Sequence, residues 1–137
     1  MPLRVLFLCV HNSSRSQMAE ALLRRLAGDR FDVESAGSEP TEVNPLAIAV
    51  MREVRIDISG QRAKDVNEIE GPPDVVITLC DEARESCPFF PGSPRYLHWN
   101  LPDPAATLDE AAGTAVFRSV RDSLELLIRE FVEGVGG

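Results

Sequence analysis

At 137 residues, 44% apolar and 26% charged, the chain can bury one hydrophobic core without staples, so a single domain over residues 1–137 is expected. A net charge of −8 argues against general nucleic-acid binding and against docking on an anionic membrane. Three cysteines argue against a disulfide framework, and the first ten residues lack the basic start, length and cleavage site of a signal peptide, so a cytoplasmic protein is expected.

Taken in order, Val5 to Leu8 has the length and composition of a buried strand, and it stops at Cys9. A polar loop follows, Val10-His11-Asn12-Ser13-Ser14, with Arg15 six positions after the cysteine. Ser16 stands where a helix N-cap belongs, and Met18, Ala21, Leu22 and Leu26 recur behind it at helical spacing. Gly28-Asp29 stops that helix. Phe31 to Ala36 alternates apolar and polar residues as a strand near a sheet edge does, ending at Gly37. Pro40 to Pro45 reads as loop, and Asn44-Pro45 starts a second helix whose buried face is expected at Leu46, Ala49, Val50 and Val54. Asp57 to Arg62 is a turn region, and Asp65 to Glu70 suits a short helix with Val66 and Ile69 inward, ended by Gly71-Pro72-Pro73.

Asp74 to Leu79 is a second β-branched run, expected as a central strand, and it too ends at a cysteine, Cys80. The polar stretch Asp81 to Ser86, then Cys87-Pro88, leads to a proline-rich loop from Phe89 to Pro94. Arg95 to Trp99 suits a last short strand, and the loop Asn100 to Ala106 carries Pro102-Asp103-Pro104. A final helix is expected from Asp109 or Thr114 to about Glu133, with Val116, Val120, Leu124, Leu127 and Phe131 on one face and a frayed tail from Gly134 to Gly137. Strands alternating with helices indicate an α/β fold with a parallel sheet. Sites in such sheets lie at the C-terminal ends of strands, where Cys9 and Cys80 both fall.

The strand, loop and helix start around Cys9 have the makings of an anion site. The amides of Val10, His11, Asn12, Ser13, Ser14, Arg15 and Ser16 can converge on one point, and a helix N-terminus adds about half a positive charge. Arg15 can grip two oxygens of a tetrahedral anion with its planar fork. The same field should lower the pKa of Cys9, leaving a thiolate facing the anion's central atom. Asn12 suits a left-handed backbone position in so tight a loop. Residues 1–30 carry a net +3 and residues 31–137 a net −11, which gathers positive charge at this end of the chain.

Cys80-x6-Cys87 is the second constellation. Zinc is a poor reading, since no matching second pair exists, although His11 and His98 could complete a site. A redox reading links Cys9, Cys80 and Cys87 as a candidate relay; two unrelated buried cysteines is the plain alternative. Were Asp81 to Cys87 helical, the two Cα atoms would lie about 10 Å apart. A disulfide needs them within about 7 Å, so the pair closes only if the segment unwinds. Asp103, on a stiff loop, could protonate a leaving oxygen or could simply shape a turn.

Cys9-x5-Arg15-Ser16 with Pro102-Asp103-Pro104 resembles the low-molecular-weight protein tyrosine phosphatase fold. With Ser16-Gln17-Met18-Ala19-Glu20, Ser35-Ala36-Gly37, Ile56-Asp57-Ile58-Ser59, Thr78-Leu79-Cys80 and Cys87-Pro88 added, the chain is similar to the thioredoxin-coupled arsenate reductases of that fold. The resemblance spans roughly Arg4 to Phe131. It implies a four-stranded parallel sheet flanked by helices, with Cys9 attacking arsenate in the loop and Asp103 as general acid. It further implies that Cys80 attacks Cys9 and releases arsenite. Cys87 would then attack Cys80 and present a Cys80–Cys87 disulfide to thioredoxin or a similar reductant.

No cofactor is implied, and a monomer is expected. Ser14 stands where some members carry another cysteine. Lys64 stands near an acidic residue that helps bind potassium in some members, which counts against such a site, although Asn12, Glu20 and Ser35 match other parts of it. The alternatives are a phosphatase using Cys9, Arg15 and Asp103 alone, and a non-catalytic anion or arsenic sensor. Cys80 and Cys87 discriminate, because a phosphatase has no need of them.

Overall fold

The computed structural model describes residues 2–85, 87, 90, 92, 94–104 and 110–136. Ser86, Pro88, Phe89, parts of the loop to Pro94, Ala105, Ala106, the candidate helix start at Asp109 and the terminal Gly137 lie outside the described residues. Four strands form one parallel sheet among them: β1 (Leu3–Cys9), β2 (Phe31–Gly37), β3 (Val75–Thr78) and β4 (Arg95–His98), in the order β2-β1-β3-β4. Around it lie α1 (Arg15–Ala27), α2 (Pro45–Glu53), the short α3 (Asp81–Glu85) and α4 (Glu110–Gly136), with a 3-10 turn at Val66–Glu68. The expected α/β class and four-stranded parallel sheet are what the chain forms.

β1 is the axis of the core. Val5, Leu6, Phe7, Leu8 and Cys9 are all buried in succession. An unbroken apolar run, rather than an alternating one, means that both faces of the strand are covered, as parallel sheets require. Each large apolar side chain so buried contributes about 1.5–3 kcal/mol. α1 packs on β1, β2 and α4, and α4 also covers α2. Trp99 joins the sheet to α4, with its ring 6.0 Å from Phe7 and 6.3 Å from Phe131.

The order of strands sets the site. β1 pairs with β2 on one side and β3 on the other, so the connections diverge at its C-terminal end, where a crevice opens. Register places Leu8 beside Thr78, and Thr78 beside His98. Cys9 and Cys80 therefore emerge on one rim. Gly37 closes β2 where a Cβ would meet the carbonyl oxygens of Val10 and Cys9 at 2.4 and 2.8 Å, so only glycine lets the strand end pass the loop.

Several boundaries differ from the sequence reading. α1 begins at Arg15, with Ser14 rather than Ser16 at the N-cap position and no side-chain cap there. Ser16 lies inside the first turn, wholly buried, with its Oγ accepting from Asn12 Nδ2 at 2.7 Å. α2 is capped by Asn44 with Pro45 leading, as expected, but it buries Ala47, Val50 and Met51 while Ala49 and Val54 are exposed. Pro-Leu-Ala-Ile-Ala-Val-Met is apolar nearly all round, so periodicity could not choose its inner face. α4 runs through Gly134 to Gly136 instead of fraying there. Its inner face is Phe117, Val120, Leu124, Ile128 and Phe131, with Val116 and Leu127 half-buried beside it.

Candidate active site

The loop from Val10 to Ser14 owes its shape to what holds its carbonyls. Val10 O accepts from Glu39 N, His11 O from Thr41 N and Ser13 O from Asn44 N, at 2.9, 3.1 and 2.8 Å. These bonds turn the carbonyls toward the 39–44 segment. Among the described residues, the amides of residues 11–15 donate to no backbone carbonyl. Such a run of unspent donors, with the α1 N-terminus behind it, is the arrangement that favours an anion.

Asn12 adopts φ 51°, the left-handed conformation expected for it. Its side chain is wholly buried and serves the loop rather than the cradle. Its Oδ1 accepts from Lys64 N at 2.8 Å and from Gln17 Nε2 at 3.0 Å, while its Nδ2 holds Ser16. Gln17, also wholly buried, donates further to Asn12 O and Arg62 O, and Gln61 Nε2 donates to Gln17 Oε1 at 2.6 Å. The sequence reading missed Gln17 and Gln61. A glutamine in the first turn behind a tight loop was the signal available, but its partners come from residues 61–62.

Of the other loop residues, His11 is exposed, with Nδ1 3.0 Å from Glu39 O, and Ser13 is half-buried. Among the described residues, Ser14 Oγ and Arg15 Nε are buried without a hydrogen-bond partner. Buried polar atoms are nearly always satisfied, and two orphans at the mouth of an amide-lined loop mark where ligand oxygens belong. Arg15 Nη1 donates to Leu101 O at 2.9 Å, and Leu101 N to Leu79 O at 3.2 Å. The arginine thus ties the loop carrying Pro102-Asp103-Pro104 to the cradle. Asp103 itself is exposed, two residues beyond that tie.

We expect Arg15→Lys to lower kcat/KM by roughly ten- to a hundredfold. Lysine keeps the charge but loses the planar fork, and a charge-assisted hydrogen bond is worth about 1.5–3 kcal/mol. Unchanged kinetics with a tetrahedral oxyanion substrate would place Arg15 outside the cradle.

The three cysteines are present as thiols, with Cys9 and Cys80 buried and Cys87 half-buried. Cys9 and Cys80 lie close enough for their thiols to hydrogen-bond, so the two titrate as a pair rather than Cys9 alone. The Cys80 thiol is brought down to about 6, first by the bond from Cys9, then by the Ala83 amide, the Arg15 charge and the Val10 amide, against the effect of burial. Cys9 is pushed well above its ordinary range by the bond to Cys80 and by burial, although Arg15 and the Ser16 amide pull it down. Two sulfurs in contact share one negative charge, which Arg15 and the amides of Val10, Ala83 and Ser16 stabilise on the pair. Burial raises Cys87.

Asp81 opens α3 directly after Cys80, and within Asp81–Glu85 only Ala83 is buried. Near the loop, the buried Glu20 accepts from Ser35 Oγ at 2.7 Å and pairs with Arg24 at 3.0 Å and Lys64 at 3.6 Å. The Lys64 ammonium thus meets the carboxylate that the resemblance associated with a potassium ion. Among the described residues, no group of three or more His, Cys, Asp or Glu side chains is placed to hold a metal ion. His11 is tied to Glu39 instead, and His98 to Thr78 and Asp81.

A strand ending in cysteine, an amide-lined loop and an arginine opening a helix define an oxyanion-binding phosphatase-type site. The chain belongs to the low molecular weight phosphotyrosine protein phosphatase family, whose model matches residues 4–136. It is 43% identical over 135 residues to an arsenate reductase of Halalkalibacterium halodurans, with 94% of each chain covered. Among solved structures, an arsenate reductase in its oxidized state superposes with a TM-score of 0.82 at 34% identity, covering 96% of this chain and 98% of that one. A thioredoxin-dependent arsenate reductase of Corynebacterium glutamicum superposes with a TM-score of 0.75 at 33% identity, covering 98% of this chain and 63% of that one.

Proposed function

We propose that this protein reduces arsenate to arsenite through Cys9, Cys80 and Cys87, and that thioredoxin or a similar dithiol protein regenerates it. The observation that carries this reading is the hydrogen bond between Cys9 and Cys80. Attack on an oxyanion needs one thiol at the end of β1. A second thiol in contact with it, carrying the charge of the pair, serves the next step, attack on the Cys9 sulfur.

Arsenate enters the amide cradle, its oxygens taken by the amides of residues 11–15, Ser14 Oγ and the Arg15 fork. Cys9 attacks arsenic after its proton has passed to the Cys80 thiolate, and an arsenic-bound oxygen departs as water, protonated by Asp103. The Cys80 thiol gives its proton to solvent, and its thiolate attacks Cys9 Sγ. The sulfur–arsenic bond breaks with its electron pair on arsenic, giving arsenite and a Cys9–Cys80 disulfide. The Cys87 thiolate attacks Cys80 Sγ, and Cys9 leaves as a thiolate. The Cys80–Cys87 disulfide then takes two electrons from the external dithiol.

Among the described residues, no helix is long and apolar enough to cross a membrane. A reducing compartment such as the cytoplasm suits chemistry that cycles thiols. The deciding experiment is arsenate-dependent oxidation of reduced thioredoxin by the wild-type protein, beside phosphate release from an aryl phosphate. Oxidation stoichiometric with arsenite supports the reductase; phosphate release without it supports a phosphatase. The cradle also admits slow phosphate-ester hydrolysis, since phosphate and arsenate share shape and charge.

Asp103→Asn should slow the chemical step by about 10²–10⁴-fold, the usual contribution of a general acid, with anion affinity nearly intact. Rapid-quench measurement of arsenite formation checks this; a wild-type rate would leave Asp103 a turn-forming residue.

A further inference from the structure

α3 is five residues long and, among its residues, buries only Ala83, and its ion pair, Arg84 Nη2 to Asp81 Oδ1 at 3.5 Å, joins two exposed side chains. Helices this short do not persist by propensity. A second tether reaches it from the sheet. His98, the last residue of β4, has Nε2 3.0 Å from Asp81 Oδ1 and Nδ1 2.7 Å from Thr78 Oγ1. The parallel register that sets Thr78 beside His98 builds the second of these contacts, and Thr78 is buried.

The proton positions follow from the partners. A carboxylate only accepts, so Nε2 carries a hydrogen and donates it to Asp81. In the neutral ring Nδ1 then accepts from the Thr78 hydroxyl. In the charged ring Nδ1–H donates to Thr78 Oγ1, whose own hydrogen can turn toward Leu97 O at 3.4 Å. The chain of bonds is satisfied in both states. It ends on the residue that follows Cys80.

We propose that Thr78, His98 and Asp81 form a latch that holds α3 folded in the reduced protein, and that the latch sets how readily the Cys80–Cys87 disulfide closes. The proposal rests on the cysteine relay above. α3 spans Asp81–Glu85, and Cys87 lies two residues beyond it. Five helical residues at about 1.5 Å each set its ends about 7.5 Å apart, at the limit of the about 7 Å within which a disulfide's Cα atoms must lie, so closure is favoured when α3 unwinds. Unwinding begins at Asp81, the first helical residue, and the Asp81 carboxylate must leave His98 as its backbone turns. His98 is then a positioning residue: it touches neither substrate nor sulfur and acts through the segment between the two thiols.

The test uses the full chain carrying Cys9→Ser, in which Cys80 and Cys87 are the remaining thiols. Oxidised dithiothreitol plus the protein dithiol gives reduced dithiothreitol plus the protein disulfide, so the equilibrium constant is read from the disulfide fraction at known ratios. His98→Ala should raise that constant roughly fivefold to tenfold, the scale of a lost hydrogen bond to a charged group at a partly exposed site. Thr78→Val, which keeps the strand and the volume, should raise it in the same direction. Asp81→Asn, which keeps an oxygen for Nε2–H, should raise it less than His98→Ala.

Hydrogen exchange at the amides of residues 82–85 in the reduced protein should quicken by a similar factor in His98→Ala. With Cys9 restored, both His98→Ala and Thr78→Val should hydrolyse an aryl phosphate at the wild-type rate. An unchanged constant with unchanged exchange would overturn the latch, as would a shift toward the dithiol or a loss of aryl-phosphate hydrolysis. Absence of any Cys80–Cys87 disulfide at every ratio would instead overturn the relay, and the exchange measurement would still decide the latch.

Discussion

Cys9→Ser will abolish arsenate reduction and aryl-phosphate hydrolysis together, with a loss on the order of 10⁶-fold, the scale seen when an enzyme's nucleophile is removed. The expectation follows from position. Cys9 is the residue at which β1 ends, its sulfur receives the Ser16 amide and the field of Arg15, and among the described residues the amides of the loop after it donate to no backbone carbonyl. A serine hydroxyl there ionises far less readily than a thiol. The substitution is nearly isosteric, so the core should not collapse. Initial rates with both substrates at high protein concentration check this. Appreciable turnover with either would remove Cys9 as nucleophile.

Cys80→Ser and Cys87→Ser will each stop multiple turnover with arsenate and thioredoxin while sparing aryl-phosphate hydrolysis. The relay passes one disulfide along three sulfurs, and neither variant can finish the passage. Phosphate-ester hydrolysis needs only the cradle, Cys9 and Asp103, so it should remain within a few-fold of wild type. The Cys80 variant will show the larger change of the two, because it also removes the neighbour whose contact raises the Cys9 thiol. Coupled thioredoxin oxidation, followed beside p-nitrophenol release, separates these outcomes. Full thioredoxin-coupled turnover in Cys80→Ser would leave the phosphatase as the better account.

Much of this was legible from residues whose meaning is local. Asn12 in a tight loop implied a left-handed backbone, and φ is 51°. The unbroken Val75-Val76-Ile77-Thr78 run implied an interior strand, and β3 lies between β1 and β4. Asn44-Pro45 announced a capped helix start, and Asn44 Oδ1 accepts from Leu46 N at 2.8 Å. What was not legible depends on partners far along the chain. Gln17 is wholly buried because residues 12, 61 and 62 surround its amide, and nothing local in the sequence shows that.

The pairing of the two thiols was hidden for the same reason. The helix and Arg15 act on Cys9 locally, but the second sulfur reaches it only through β1–β3 pairing. The Thr78–His98–Asp81 chain likewise exists only once β4 lies beside β3. Position along the strands decides which side chains meet, and composition alone does not give it.

The central claim is that electrons reach arsenic from Cys9 and Cys80 before Cys87 takes part. Its most direct test is a single turnover by reduced Cys87→Ser, mixed with arsenate without thioredoxin and quenched in acid. Arsenite is counted and the disulfides are mapped by mass spectrometry of alkylated peptides. The relay predicts one arsenite per chain and a Cys9–Cys80 disulfide. No arsenite, or arsenite with both sulfurs still alkylated as thiols, would contradict it.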